Sequence, residues 1–460
     1  MSRATYRTQN PVTNEVLATF DIATDEEIAQ EVAKADAAFR DWSARSFPER
    51  ATVLNKAADL LEERIDKLVL IGSTDMGKRY TEMEGEIKFC AEILRYYAEN
   101  GERFAADEEI PTAQKGTAIV RKLPLGVLLG VMPWNFPYYQ VVRMLAPNLM
   151  LGNTIVLKHA GICAASAEAL AELFRDAGLP EGGFSNLFAD HEQVEKIIAD
   201  PRVQGVSLTG SERAGETVAA LAGKYLKRSV LELGGNDPFI ILDSADVKES
   251  ARLAWSTRMK NTGQTCTSNK RIFVHAEIYD EFVAEITALA EEMKKGTPAD
   301  EDPQRFTPLS SRDAAENLDE QVQKAIAEGA TLCAGGKLFD EGAYYSPTVL
   351  TNIPPDSDSF HEEFFGPVAA IYRFETDDEV VALANDSQFG LGGAVFSTDV
   401  ARAKAVAAKI NTGMISVNAP HNSSADLPFG GIGRSGYGRE LGPVGMDEFV
   451  NKQTFFVSKN

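Results

Sequence analysis

The chain has 460 residues, which predicts two to four domains at roughly 100–200 residues per domain and excludes a small disulfide-stapled scaffold. Hydrophobic residues make up 44% and charged residues 25% of the chain, as in an ordinary globular protein. The 46 basic and 68 acidic side chains give a formal net charge of −22, which argues against nucleic acid or an anionic membrane surface as a partner.

The first hundred residues are predicted to be mostly helical. Apolar residues recur at helical spacing over residues 25–44 and 48–76. Residues 107–122 contain short extended pieces around Lys115-Gly116, which predicts a projecting hairpin. The N-terminal residues contain no apolar core of an export signal, so we expect a cytoplasmic protein.

The run from Leu123 to Val142 has 20 residues without a charge, the length of a membrane span. Three prolines within it, Pro124, Pro133 and Pro137, argue against a spanning helix. We therefore predict a buried strand, then a loop, then a helix, and no association with a membrane.

Strand-like apolar runs then alternate with amphipathic helices, first up to about residue 233 and again after Gly234-Gly235. This alternation predicts an α/β fold with two doubly wound, parallel-sheet domains and a small β element for oligomerisation. The predicted boundaries are residues 1–106 and 123–233 for a cofactor-binding domain, 234–438 for a catalytic domain, and 107–122 with 439–460 for the oligomerisation element. The terminal strand, residues 453–459, is expected to pair with the hairpin or with another subunit.

The four cysteines, Cys90, Cys163, Cys266 and Cys333, are far apart and form no CxxC pair. This spacing fits a reducing compartment and predicts neither a metal site nor a disulfide framework. Cys266 differs from the other three because small polar residues surround it, a setting in which a thiolate can be reached and stabilised. The alternative is an inert buried thiol, which is our interpretation of the other three.

Two further polar residues lie in apolar surroundings. Glu232 follows a strand and precedes two glycines, where burial would raise the pKa of its carboxyl and make it a general base, although a solvent-facing strand residue is the commoner case. Asn135 lies in the proline-fixed segment Pro133 to Pro137, where its amide either satisfies the local backbone or stabilises an oxyanion. The motif Gly431 to Gly436 fits G-x-G-x-x-G but lacks the expected strand before it, so we do not assign it to a phosphate.

Seven segments, taken together, resemble the signature segments of the aldehyde dehydrogenase superfamily in their order and approximate spacing. They are WNFP at 134–137, VLK at 156–158, TGS at 209–211, LELGG at 231–235, GQTC at 263–266, EEFFGPV at 362–368 and PFGG at 428–431. The resemblance implies that Cys266 attacks an aldehyde, that Asn135 and the Cys266 N–H hold the oxyanion, and that Glu232 activates water to hydrolyse a thioester.

The resemblance also implies a nicotinamide cofactor. Its contacts would be Trp134, Lys158, Gly210, Ser211, Glu363 and Phe365. Many relatives that prefer NAD carry a glutamate three residues after the lysine, whereas this chain has Gly161. Because no carboxylate would repel a 2′-phosphate, we expect NADP or NAD to bind, with NADP favoured.

Arg143 matches an arginine that binds the distal carboxylate in family members that oxidise succinate semialdehyde. From its helix, Arg143 is expected to face the substrate entrance, with Lys260 and Ser424 as additional substrate contacts. Lys260 replaces a second arginine of those relatives and lacks its bidentate fork. An ordinary solvent-facing helix arginine is the alternative interpretation of Arg143.

The expected reaction is the oxidation of succinate semialdehyde. The alternatives are glutarate semialdehyde or an aliphatic or aromatic aldehyde as the substrate, acyl transfer to coenzyme A, and a catalytically silent binding protein. The presence of both Cys266 and Glu232 disfavours the silent protein, and Glu232 favours water over coenzyme A. The resemblance further implies a homodimer or homotetramer.

Overall fold

The computed structural model describes residues 5–459. Residues 1–4 and Asn460, where two of the predicted domain segments begin or end, lie outside the described residues. The α-helices are α1 (Asp25–Trp42), α2 (Phe47–Glu63), α3 (Ile65–Met76), α4 (Tyr80–Phe104), α5 (Tyr139–Leu151), α6 (Ala164–Asp176), α7 (His191–Ala199), α8 (Glu212–Lys224), α9 (Val247–Met259), α10 (Tyr279–Glu292), α11 (Arg312–Ala327), α12 (Asp358–His361), α13 (Asp377–Asn385) and α14 (Val400–Ala407).

The strands form sheets that are described below. They are β1 (Thr5–Gln9), β2 (Val16–Asp21), β3 (Glu108–Ile110), β4 (Gly116–Pro124), β5 (Val127–Met132), β6 (Thr154–His159), β7 (Phe184–Asn186), β8 (Val203–Thr209), β9 (Arg228–Glu232), β10 (Pro238–Ile241), β11 (Arg271–His275), β12 (Lys294–Lys295), β13 (Arg305–Phe306), β14 (Thr331–Ala334), β15 (Thr348–Thr351), β16 (Val368–Phe374), β17 (Phe389–Gly390), β18 (Ala394–Phe396), β19 (Ser416–Val417), β20 (Ile432–Gly433), β21 (Gly436–Tyr437) and β22 (Val450–Ser458).

The first large sheet has the strand order β21-β9-β8-β5-β6-β7. Its strands pair in parallel, except that β21 is antiparallel to β9. The central strand β5 is almost wholly buried, as expected of a parallel strand covered by helices on both faces. Its successor α5 is buried at every residue, which confirms the predicted strand, loop and helix.

The second large sheet has the order β14-β15-β16-β11-β10-β18-β19 and is parallel apart from the β14–β15 pair. The chain passes from the first sheet to the second between Glu232, the last residue of β9, and Pro238, the first residue of β10. The predicted α/β fold class is therefore confirmed. The exact domain boundaries stay a prediction.

A third sheet joins β22, β4 and β3 in antiparallel pairs. The pairing of β22 with β4 runs from Val450 opposite Pro124 to Ser458 opposite Gly116, so the terminal strand pairs with the predicted hairpin. From its second residue onward β22 is exposed.

The first hundred residues are mostly helical, as predicted, and the strands β1 and β2 form a hairpin before α1. The continuous helical pattern over residues 48–76 is interrupted: these residues form α2 and α3, because Arg64 leaves the helical conformation at φ −106° and ψ 15°. Among residues 5–459, no helix combines the length and apolar character needed to cross a membrane.

Candidate active site

The site begins where strands of the first sheet end. Strand β5 leads into the loop Pro133 to Pro137, β8 leads into Gly210 and Ser211, and β9 leads into Leu233 and Gly234. Parallel neighbours place their carboxyl ends at the same edge of a sheet, where ligands bind in open α/β folds. These three loops are therefore brought together by the strand order.

A cavity of about 250 Å³ lies at this edge. It brings together seven of the predicted site residues: Trp134, Asn135, Gly210, Ser211, Cys266, Glu363 and Phe365. The rings of Trp134 and Phe365 meet edge to face, with centroids 5.7 Å apart. The first sheet thus contributes the oxyanion and cofactor segments, and the second contributes the Cys266 loop and the Glu363 segment.

The loop that carries Cys266 has an unusual backbone. Asn261, Thr262 and Gly263 have φ values of 51°, 53° and 75°, all in the left-handed region. Thr262 is β-branched and is strained in that region. A Cβ on Gly263 would lie 2.1 Å from the carbonyl oxygen of Gly366, so only glycine fits this approach. The strained turn sets the direction in which Cys266 enters the cavity.

The buried side chain of Arg258, at the end of α9, stabilises this turn through hydrogen bonds. Its fully buried guanidinium donates to the carbonyl oxygens of Gly263 at 3.0 Å, Phe364 at 2.6 Å and Val368 at 2.7 Å, and to Ser268 Oγ at 2.9 Å. Burial lowers the pKa of Arg258 to about 9, because backbone carbonyls rather than a carboxylate satisfy the cation. One side chain therefore joins the Cys266 loop to the Glu363 segment.

Asn135 is joined directly to the Cys266 loop. Its Nδ2 donates to the backbone carbonyl oxygen of Gln264 at 3.1 Å, and the backbone carbonyl oxygen of Asn135 accepts from Asn261 Nδ2 at 2.8 Å. The amide is buried and still lines the cavity. These two hydrogen bonds fix the predicted oxyanion donor relative to the predicted nucleophile.

A buried ion pair supports the Asn135 loop from the opposite side. Lys78 Nζ lies 2.5 Å from Glu86 Oε2, and both side chains are 1% exposed. Glu86 Oε1 accepts the backbone N–H groups of Tyr138 and Tyr139 at 2.8 and 3.0 Å, and Lys78 lies 3.6 Å from the centroid of the Phe136 ring. The start of α5 is anchored by a carboxylate, as the positive end of a helix favours.

Cys266 is half-buried at the cavity wall. Burial raises the pKa of its thiol to about 11, while the positive charges of Lys270 and Arg143 act in the opposite direction. The thiols of Cys90 and Cys163 are fully buried, and burial raises the pKa of each well above its ordinary value. Of these three cysteines, only Cys266 lines the cavity.

The Glu232 carboxylate is buried, and neither of its oxygens has a hydrogen-bond partner among residues 5–459. Burial raises its pKa well above the usual range; Arg143 opposes this rise and Glu440 adds to it. The carboxylate lies against Gly430, where an added Cβ would be 2.6 Å from Oε1. The cavity lining contains its neighbours Leu233 and Gly234 rather than Glu232 itself.

The expectation that Arg143 faces the substrate entrance is wrong. Its side chain is fully buried and forms a very short ion pair with Glu440. It also donates to Thr209 Oγ1 at 3.1 Å and to the Tyr139 hydroxyl at 3.4 Å. Because a buried guanidinium requires a counter-charge, Glu440 holds Arg143 one side chain behind the cavity wall, where Thr209 is a lining residue.

Lys260 and Ser424 also lie away from this cavity. Lys260 is exposed and lines a separate groove of about 330 Å³ together with Trp255 and Phe306. The Ser424 hydroxyl donates to Asp426. Lys158, at the end of β6, has its Nζ 5.6 Å from the Tyr6 ring centroid, and a Cβ on Gly161 would touch only that ring.

Sequence reasoning missed three residues of this region. Gln140 lines the cavity, and its Oε1 has no hydrogen-bond partner in the described part of the chain. Lys270 lies beneath Cys266, and Glu440 neutralises Arg143. A charged residue directly before the buried strand β11 was a usable signal for Lys270. Glu440 offered no comparable signal, because its partner is 297 residues away in the chain.

The aldehyde dehydrogenase family model matches residues 1–455. The chain therefore belongs to the aldehyde dehydrogenase family, which confirms the resemblance seen in the seven segments.

The curated relatives and solved structures are similar over almost the full chain. A protein of Deinococcus radiodurans named succinate-semialdehyde dehydrogenase [NADP(+)] is 50% identical over 97% of this chain and 94% of its own length. A Mycobacterium avium protein of the same name is 42% identical over 98% and 97%. A crystal structure of succinic semialdehyde dehydrogenase from Streptococcus pyogenes with NADP+ superposes with a TM-score of 0.95, at 43% identity, over 99% of this chain and all of that one.

The buried ion pair of Arg143 and Glu440 predicts how variants of these two residues rank in their free energy of unfolding. Arg143→Leu should lower the free energy of unfolding by roughly 3–5 kcal/mol, because Glu440 is left buried without its counter-charge. Urea unfolding followed by circular dichroism measures this loss. Arg143→Leu with Glu440→Gln removes the unpaired charge and should be more stable than Arg143→Leu alone; equal stability of Arg143→Leu and wild type would contradict the pairing.

Proposed function

We propose that this protein oxidises succinate semialdehyde to succinate with NADP+ as the hydride acceptor. The observation that carries the proposal is the cavity in which Cys266, Asn135, Glu363 and Phe365 meet at the edge of the first sheet. The succinate-semialdehyde dehydrogenases named above support the choice of substrate and cofactor.

In the proposed reaction, the Cys266 thiolate attacks the aldehyde carbon. One N–H of Asn135 is committed to Gln264, which leaves its second Nδ2 hydrogen, together with the Cys266 backbone N–H, to stabilise the oxyanion. After hydride loss, a thioester remains on Cys266 and water must attack it. Glu232 is the proposed base for this step, because its carboxylate is buried, accepts no hydrogen bond from residues 5–459, and has a pKa raised by burial.

The residues at the cavity fit a dinucleotide. Ser211 is the N-cap of α8, and helix N-termini attract phosphate. A Cβ on Gly210 would meet nothing closer than 3.7 Å, so this backbone is open to a ligand. We assign Glu363 to the nicotinamide ribose, Trp134 and Phe365 to the ring, and Lys158 to the adenosine ribose. When bound, NADP+ supplies the hydride acceptor.

Arg143 enters the proposal in a changed role. The Tyr139 hydroxyl accepts from Arg143 at 3.4 Å. We propose that the substrate's distal carboxylate binds near the Tyr139 hydroxyl, and that Arg143 contributes its positive charge from the far side of Tyr139. Lys260 and Ser424 make no direct substrate contact in this proposal.

Steady-state rates of NADP+ reduction with four aldehydes test the proposal: succinate semialdehyde, glutarate semialdehyde, butanal and benzaldehyde. We expect kcat/KM for succinate semialdehyde to exceed that for butanal by about a hundredfold, near the upper end of the roughly 1.5–3 kcal/mol that a charged hydrogen bond contributes. Cys266→Ala should abolish turnover, and the matched variant Cys333→Ala should retain it. Equal use of butanal would remove the substrate assignment, a dependence on coenzyme A would indicate acyl transfer, and activity of Cys266→Ala would overturn the mechanism.

The preference for NADP+ is testable at Gly161. Gly161→Glu places a carboxylate near Lys158, in a position where an added Cβ lies 3.7 Å from Tyr6 and is tolerated. The ratio of kcat/KM for NADP+ to that for NAD+ should fall by roughly tenfold or more, since the 2′-phosphate would then meet a negative charge. Gly161→Gln, which has the same size without the charge, should change the ratio less. An equal fall of the ratio in both variants would show that the size of the side chain, and not its charge, causes the effect.

We also propose a homodimer or homotetramer that assembles through β22. This strand lies at the edge of its sheet, and Phe455, Phe456 and Val457 are 39–53% exposed. An exposed apolar edge is a template for pairing with another chain. Sedimentation velocity should find an oligomer that Val457→Lys weakens, whereas a monomeric wild type would contradict assembly.

A further inference from the structure

Lys270 lies fully buried directly beneath the proposed nucleophile. Its Nζ donates to the backbone carbonyl oxygens of Thr265 at 2.8 Å and Cys266 at 2.6 Å. The same ammonium forms an ion pair with Glu363 Oε1 at 2.8 Å, and its side chain is 0% exposed. A buried lysine thus uses its three donors on the nucleophile's own loop and on one carboxylate.

These contacts make Lys270 a junction between two parts of the site. Glu363 also accepts the backbone N–H of Gly235 at 3.1 Å, so the segment between β9 and β10 holds this carboxylate as well. Lys270 is a compact point charge, and in low dielectric such a charge acts on neighbours more strongly than a solvated one.

We propose that Lys270 is a positioning residue that fixes the Cys266 backbone and favours the thiolate of Cys266, with Glu363 opposing it. The inference rests on the proposed function only in taking Cys266 as the nucleophile. It assigns a role to a cation that the reaction described above does not use.

Four charged side chains act on the Cys266 thiol. Lys270 and Arg143 are positive and favour the thiolate, and Asp237 and Glu363 are negative and disfavour it. Arg143 is paired with Glu440 and Lys270 with Glu363, but only Lys270 also donates to the carbonyl oxygen of Cys266 itself. Burial and the two anions raise the pKa of Cys266 and Lys270 lowers it, so removal of Lys270 and removal of the Glu363 charge should have opposite effects.

The test is the rate at which iodoacetamide modifies Cys266 between pH 7 and pH 10, with the Cys266 peptide quantified by mass spectrometry in the full-length protein. Lys270→Met keeps the length of the side chain and removes its charge. At pH 8 we expect its modification rate to fall by about tenfold, the change in thiolate fraction for a pKa higher by about one. Glu363→Gln keeps an acceptor for Gly235 and should increase the rate.

Lys324→Met is the matched control. Lys324 contacts Glu362, the residue next to Glu363, with Nζ at 2.5 Å from its carboxylate, but it does not reach the Cys266 loop. Its rate should equal that of wild type, and an equal slowing there would overturn the assignment to Lys270. An unchanged or faster rate in Lys270→Met would also overturn it.

Thermal unfolding checks that each variant is folded. If Lys270→Met does not fold, Glu363→Gln decides alone, because an unchanged or slower rate in that variant contradicts the proposal. The readout needs neither substrate nor turnover. Failure of the proposed function, seen as full activity in Cys266→Ala, is therefore distinguishable from failure of the role of Lys270.

Discussion

The geometry of the site depends on buried cations that donate to backbone carbonyl oxygens. The loop between α9 and β11 passes through a left-handed turn, so its carbonyl groups cannot be satisfied by a helix or a sheet. Arg258 donates to the carbonyl oxygen of Gly263, and Lys270 donates to those of Thr265 and Cys266. Without these two side chains, the loop would carry unsatisfied carbonyls in the protein interior, at a cost of about 1–3 kcal/mol each.

The two large sheets each contribute half of the chemistry, and polar contacts hold the halves in register. Across the boundary, Asn135 donates to the carbonyl oxygen of Gln264 and accepts from Asn261 at its own backbone carbonyl. The Lys78–Glu86 pair anchors the start of α5 behind Asn135. Because several contacts at once determine the position of the oxyanion donor, it is preorganised before any substrate arrives. The Glu232 carboxylate is buried in the same interior without a hydrogen-bond partner from residues 5–459. A buried polar group of this kind destabilises the fold, and its proposed role as the base explains why it is kept.

The sequence predicted which residues meet at the cavity, because they lie in short signature segments beside the strands of the two sheets. Asn135 follows β5, whereas Cys266 precedes β11 and Glu363 precedes β16. The direction of Arg143 was not predictable, since it depends on Glu440, which is brought close only by the complete fold. Lys270 was missed for a related reason: its partners are carbonyls that point inward because of the turn at Asn261 and Thr262. Secondary structure was predicted well where periodicity is long, and it failed at Arg64, where one residue breaks a continuous apolar pattern.

Trapping of the covalent intermediate tests the central claim most directly. Glu232→Gln is mixed with NADP+ and succinate semialdehyde, quenched within one turnover and digested for mass spectrometry. If Cys266 is the nucleophile and Glu232 is the base for hydrolysis, one equivalent of cofactor is reduced rapidly and a succinyl thioester accumulates on the Cys266 peptide. Reduction of cofactor without acylation of Cys266, or turnover by Glu232→Gln as fast as by wild type, would contradict the account.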